Sequence, residues 1–151
     1  MSSIIIRPVA APDLPVVLEM IKGLAAHHDD TAAVTLATLE RDVMGDGPWL
    51  TLLVAEQDKA LLGYAALCPM AQLQFGVRGM DLHHLFVSRD ARGLGLGKQL
   101  IDASMAAAKD QGCRYMTVGT HPDNVTAQGI YLAAGFEPLD GIGPRFRIKF
   151  G

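Results

Sequence analysis

Residues 85–97 read LFVSRDARGLGLG, and the reading of this stretch decides the fold. An apolar strand breaks at Ser88, Arg89 and Asp90, and Arg92-Gly93-Leu94-Gly95-Leu96-Gly97 then opens a long helical pattern at Lys98. Glycines at the handover from strand to helix let the backbone come close to a ligand, and they leave the N–H groups of the first helical turn free to point at it. The aligned peptide dipoles add partial positive charge there. The turn therefore predicts a phosphate or pyrophosphate site held largely by main chain, with Arg92 as a nearby cation. A glycine-rich strand-to-helix turn with no ligand is the plainer reading of the same letters.

Spacing separates the possibilities. A dinucleotide fold requires G-x-G-x-x-G and an acidic residue closing the next strand about 20 residues on. Here the run is G-x-G-x-G, and Tyr115-Met116-Thr117-Val118 ends in Gly119-Thr120 without a carboxylate. A nucleotide P-loop requires a glycine five positions before the Gly-Lys pair and a Ser or Thr after it. Gly97-Lys98 has Arg92 at the first place and Gln99 at the last. What remains is R-x-x-G-x-G, carried by Arg92, Gly95 and Gly97, and it resembles the coenzyme A pyrophosphate loop of the GNAT acetyltransferase superfamily.

A second segment strengthens that resemblance. Asn124-x-x-Ala127-x-x-x-Tyr131-x-x-x-Gly135-Phe136 follows the strand at 115–118, and in a helix over 124–134 Asn124, Ala127 and Tyr131 share one face, with Gly135 as its stop. The pattern is similar to the GNAT segment that carries an Asn against the pantetheine arm and a Tyr beside the thioester sulfur. Taken singly, Tyr131 also fits an amphipathic helix with a packed ring.

Composition places no obstacle in the way. The chain has 151 residues, half of them apolar, which suffices for one domain (1–151) with a sizeable core. A net charge of −3, without a Lys/Arg cluster, leaves no basic field for nucleic acid. Cys68 and Cys113 lack C-x-x-C spacing and no export signal opens the chain, so a reducing cytoplasm is expected and no disulfide or metal site is implied. The apolar runs break well short of the roughly 18 residues a membrane span needs.

Period-2 and period-3.6 segments alternate along the chain. Strands are expected at 3–7, 50–56, 60–67, 79–87 and 114–119, with helices at 13–26, 35–43, 95–111 and 124–134. Gln57-Asp58-Lys59 reads as a hairpin turn, Gly45 and Gly47 as a helix stop, and Phe136 with 146–150 as a closing strand pair. The class is α/β, in the order β-α-α-β-β-β-α-β-α-β-β. That order is also the GNAT order, and the resemblance implies a twisted mixed sheet flanked by about four helices. It further implies a splay between the fourth and fifth strands that makes a slot for coenzyme A.

The resemblance also implies roles. Acetyl-CoA is the cosubstrate, lying along Leu85, Phe86 and Val87, over Arg92, Gly93, Leu94, Gly95, Leu96, Gly97 and Lys98, and against Asn124, Ala127 and Tyr131. An amine attacking a thioester needs its proton removed, its oxyanion held and its thiolate protonated. By the resemblance, the Leu85 N–H is expected to be the oxyanion donor and the Tyr131 hydroxyl the general acid. Strand alternation predicts Asp81, His83 and Leu85 on one face, with Leu82, His84 and Phe86 on the other. His83 then reads two ways, as the base that receives the amine proton or as a packed residue of an apolar strand, with Asp81 orienting it or attracting a cationic acceptor. His84 reads as structural, and His121 as part of a helix-initiating turn with Pro122 and Asp123.

The acceptor is less legible. Ile5-Ile6-Arg7-Pro8 with Asp13, and Ile21-Lys22-Gly23-Leu24-Ala25, loosely resemble the diamine and polyamine branch, and Asp29, Asp30 and Asp81 suit a cationic amine. Asp29 and Asp30 equally suit a solvated loop, and His83 stands where polyamine enzymes are expected to carry an acid. Three functions are left open: an N-acetyltransferase for a small primary amine, a protein N-terminal or lysine acetyltransferase, and a non-catalytic acyl-CoA-binding module. A homodimer is an expectation from the resemblance.

Overall fold

A computed structural model describes residues 3–140 and 143–151. The elements are β1 (Ile5–Pro8), α1 (Leu14–His27), α2 (Leu36–Val43), β2 (Thr51–Gln57), β3 (Ala60–Gln72), β4 (Val77–Val87), α3 (Leu96–Asp110), β5 (Cys113–Val118) and α4 (Val125–Ala133). They fall into two compact units, Met1–Gly119 with the sheet and the first three helices, and Thr120–Gly151 with α4.

Local chemistry explains the boundaries. Thr35 caps α2 reciprocally with Thr38: each backbone N–H donates to the other's hydroxyl oxygen, at 3.1 and 2.9 Å. Asp58 and Lys59 both take positive φ, 53° and 68°, which makes the two-residue I′ turn whose twist matches the β2–β3 hairpin. Gly112, at φ 83°, ends α3 as expected from the sequence.

The sheet runs β1-β2-β3-β4-β5, antiparallel except for the parallel β4–β5 pair that α3 connects. One face buries Leu52, Val54, Tyr64 and Ala66 against Leu14, Val17 and Met20 of α1 and Leu39 and Val43 of α2, with Phe86 packed on this cluster. The other face carries Leu53, Ala65, Leu67 and Leu82, and α3 packs on β3 and β4 through Leu96, Leu100, Ile101, Ser104 and Ala108.

The fork expected between the fourth and fifth strands is present. Pairing of β4 with β5 ends at Leu82↔Val118, whereas β4 continues to Val87. Thr117 closes the base of the fork, its hydroxyl donating to Asp81 Oδ1 at 2.7 Å.

One expected element does not form. Among the described residues no strand follows α4: Phe136 and 146–150 lie outside any ladder, and Phe146, Ile148 and Phe150 are exposed. The alternation of the FRIKF segment (146–150) is real, but period 2 specifies only a two-faced ribbon, and a strand exists only where a partner takes its N–H and C=O groups.

Candidate active site

The outer half of β4 has one edge free of strand pairing. The Ser88 N–H donates to the Leu62 carbonyl at 2.8 Å, so in the regular register from Gly63↔Val87 to Ala66↔His84 the N–H groups of Phe86 and His84 also turn toward β3. Those of Leu85 and Val87 alternate to the opposite side, where β5 has already diverged. Two backbone donors thus point into the fork at the positions expected to hold an oxyanion and an extended amide chain. Phe86 is placed differently, with its N–H directed at β3 and its ring stacked on Tyr64 at 5.8 Å and 25°.

A β-bulge overturns the expected alternation. β3 residues Ala66 and Leu67 pair with His84 and Leu82, so His83 is an extra residue without an opposite number. The bulge shifts the phase of every side chain beyond it. Asp81 pairs with Cys68 and so shares the α1/α2 face with Ala66, His84 and Phe86, whereas Leu85 pairs with Ala65 on the α3 face. Asp81, His83 and Leu85 therefore do not form one row. The bulge brings neighbouring histidines together instead: the rings of His83 and His84 stack 4.4 Å apart at 11°, which a regular strand forbids because it sends successive side chains to opposite faces.

His84, read from the sequence as structural, is hydrogen-bonded as well as packed. Its Nδ1 lies 3.2 Å from the Tyr64 hydroxyl. Burial, then the charges of His83 and His28, holds its pKa below the ordinary histidine value, and burial pushes the Tyr64 hydroxyl up. The stack of His83 on His84 was not legible, because only the register with β3 identifies a bulge.

The glycine turn follows directly. A 3-10 turn over Arg89–Ala91 leads to Gly93 and Gly95, both left-handed at φ 82° and 76°, and Gly95 is the N-cap of α3. The first intrahelical bond runs from the Gln99 N–H to the Gly95 carbonyl at 3.2 Å, so the N–H groups of Leu96, Gly97 and Lys98 precede the ladder. A Cβ built on Gly93, Gly95 or Gly97 meets nothing within 4 Å, so the cradle is open. Arg92 Nε donates to the Val87 carbonyl at 3.3 Å, holding the guanidinium between β4 and the turn, while Leu96 is buried and Lys98 lies exposed beside Asp102. These features fit a pyrophosphate with an extended amide arm. Asp29 and Asp30 are exposed, in the loop after α1.

In the second unit Asn124 caps α4, accepting the Ala127 N–H on its side-chain oxygen at 3.0 Å. The His121 carbonyl accepts the Asn124 N–H, as a helix-initiating turn requires. Tyr131 is half-buried, and that burial raises the pKa of its hydroxyl, so the proton is retained at neutral pH.

Known proteins agree with this geometry. The model of the acetyltransferase (GNAT) family matches residues 21–136. An L-methionine sulfoximine/L-methionine sulfone acetyltransferase of Pseudomonas paraeruginosa is 29% identical over 158 residues, covering 97% of this chain and 87% of that protein. A thialysine N-epsilon-acetyltransferase of Sus scrofa is 27% identical, covering 92% and 87%. The solved structure of an aminoglycoside N-acetyltransferase, AAC(6')-Iy, in complex with CoA superposes with a TM-score of 0.79 at 26% identity, covering 97% and 96%. With the family model spanning most of the chain and the forked sheet and glycine turn in place, the chain belongs to the GNAT family and is an acetyl-CoA-dependent N-acetyltransferase.

Proposed function

We propose that the protein moves the acetyl group of acetyl-CoA to the primary amine of a small molecule, by direct attack within a ternary complex, with residues 1–151 acting as one catalytic domain. The observation that carries this reading is the pair of β4 donors, the Leu85 and Val87 N–H groups, aimed into the fork and continued by the open Gly93–Gly97 turn. Acetyl-CoA supplies the acetyl group as an activated thioester. The first-turn N–H groups of α3 and the Arg92 guanidinium hold its phosphates, and Val87, Asn124 and Ala127 line its arm. The Leu85 N–H donates to the oxygen as negative charge develops there. His83 takes the proton of the attacking amine, and the Tyr131 hydroxyl gives a proton to the departing sulfur. Asp81, bonded to Thr117, adds negative charge on the α1/α2 face, where a cationic acceptor is drawn in.

An amine carried by an amino-acid-like compound is favoured, because two relatives matched along nearly their whole length act on such compounds by name. The test is thiol release from acetyl-CoA against a panel of methionine derivatives, lysine analogues, polyamines, aminoglycosides and short peptides. Turnover on amino-acid-like amines is the expected result. Turnover on peptides alone would replace the small-molecule reading with a protein acceptor, and binding of acetyl-CoA without turnover on any amine would leave a binding module.

A further inference from the structure

The fork of the sheet holds a group that the proposed chemistry does not use. His84 is half-buried on the α1/α2 face, its Nδ1 is 3.2 Å from the hydroxyl of the fully buried Tyr64, and the exposed ring of His83 lies flat upon it, 4.4 Å away at 11°. The bulge that makes this stack possible stands two residues before the Leu85 N–H.

Resting on the acetyltransferase reading above, we propose that His84 is a positioning residue for His83: anchored at Nδ1 by Tyr64, its ring is the platform that fixes the His83 imidazole at the mouth of the fork.

The chemistry of the pair gives the platform a defined state. Buried Tyr64 keeps its proton and, among the described residues, its hydroxyl has no other hydrogen-bond partner, so it donates to His84 Nδ1. Neutral His84 then carries its own proton on Nε2. The groups facing it are Tyr64 from β3, His83 on β4 and His28 at the end of α1, with Asp81 on the same face but bonded to Thr117 of β5. Burial and the two neighbouring histidines all oppose a charge on His84, so it remains an uncharged surface near neutral pH. When acid protonates it, Nδ1 becomes a donor, the Tyr64 hydroxyl loses its acceptor, and a cation faces the His83 ring. Acid thereby disorders the platform.

Two measurements test this. Nitrogen-15 NMR of the imidazoles, which needs no turnover, should show His84 with its proton on Nε2, a titration below the ordinary histidine range, and an upward move of that titration in His83→Asn, because a neighbouring positive charge is gone. Tyr64→Phe should keep the ring packing on Phe86 yet release the tautomer. In acetyl transfer, His84→Asn and Tyr64→Phe should each lower kcat roughly tenfold, a fraction of what a general base supplies, and displace the acid limb of the pH profile while KM for acetyl-CoA holds. A wild-type pH profile and kcat in both variants would overturn the proposal, as would a His84 proton on Nδ1. If His84→Asn does not fold, Tyr64→Phe and the wild-type spectra still decide. A wild type that transfers to no amine while the spectra come out as expected would sink the acetyltransferase reading, and the catalytic part of this proposal with it, but not the anchored stack.

Discussion

The N–H of Phe136 donates to the Tyr131 carbonyl at 3.0 Å, and the two rings meet edge to face with centroids 5.8 Å apart at 71°. With the Gly135 N–H on Leu132 at 3.1 Å and Gly135 at φ 103°, this is a Schellman end with its usual apolar clasp. The device that stops α4 is therefore the one that orients the Tyr131 ring. Tyr131→Phe keeps the ring and the clasp while removing only the hydroxyl, so kcat should fall about 10²-fold or more with acetyl-CoA affinity held. Phe136→Ala should lower stability by about 1 kcal/mol, the worth of an aromatic pair, and lower kcat through a loosened Tyr131. Steady-state kinetics with calorimetric binding checks both.

Arg7 grips Asp13 with two bonds, 2.7 and 2.9 Å, and reaches Glu56 at 3.3 Å, while the Ala10 N–H also donates to Asp13 at 2.7 Å. These bonds, led by Arg7, hold the largely buried Asp13 carboxyl below the usual carboxylate range. A lowered carboxylate pKa contributes stability that is full above its unfolded value and is lost as pH falls through the folded one. His84, also lowered, takes up its proton more readily in the unfolded chain, so its contribution fades as pH drops below about 6.5. The thermal midpoint should decline in acid in two stages. Asp13→Asn should remove the lower stage and cost about 2 kcal/mol at neutral pH.

Two glycines should fail for different reasons when changed to alanine. At Gly63 a Cβ would collide with the Phe86 carbonyl oxygen, a backbone atom of the paired strand, so β3 and β4 must part there. Gly63→Ala should cost about 3 kcal/mol in urea unfolding. At Gly95 the space is open but φ is 76°, so Gly95→Ala should cost about 1–2 kcal/mol of backbone strain and weaken acetyl-CoA binding by disturbing the first turn of α3.

Arg92→Gln removes the guanidinium poised between Val87 and the glycine turn. Loss of a charge-assisted contact of about 1.5–3 kcal/mol corresponds to a roughly 10- to 100-fold weaker Kd for acetyl-CoA. The salt dependence of binding should flatten at the same time, because one screened charge pair is gone. An unchanged Kd in titration calorimetry would remove Arg92 from the phosphate site.

Much of the candidate site was legible because its chemistry is local. A glycine at positive φ and a glycine with a following aromatic ending α4 are each determined within one turn of chain, whereas Asn124, expected inside the helix, caps it instead. The alternation in β4 was legible too, up to Leu82.

Beyond Leu82 the reading failed. A bulge is a property of two strands: nothing in the letters of β4 requires that Ala66 and Leu67 oppose His84 and Leu82 with His83 left over. That single residue exchanged the faces on which Asp81 and Leu85 were expected to meet and stacked His83 on His84. The segment 146–150 erred in the opposite direction, with a strand pattern but no ladder among the described residues.

By itself the sequence determined the Asp58–Lys59 turn, the helix ends to within one residue, and which N–H groups stand ahead of the α3 ladder, because capping, left-handed glycines and helix dipoles act within a few residues. Tertiary structure alone decided where β4 and β5 part, which way the histidines point and whether the last apolar segment becomes a strand, because register is set by the partner strand rather than by the strand itself.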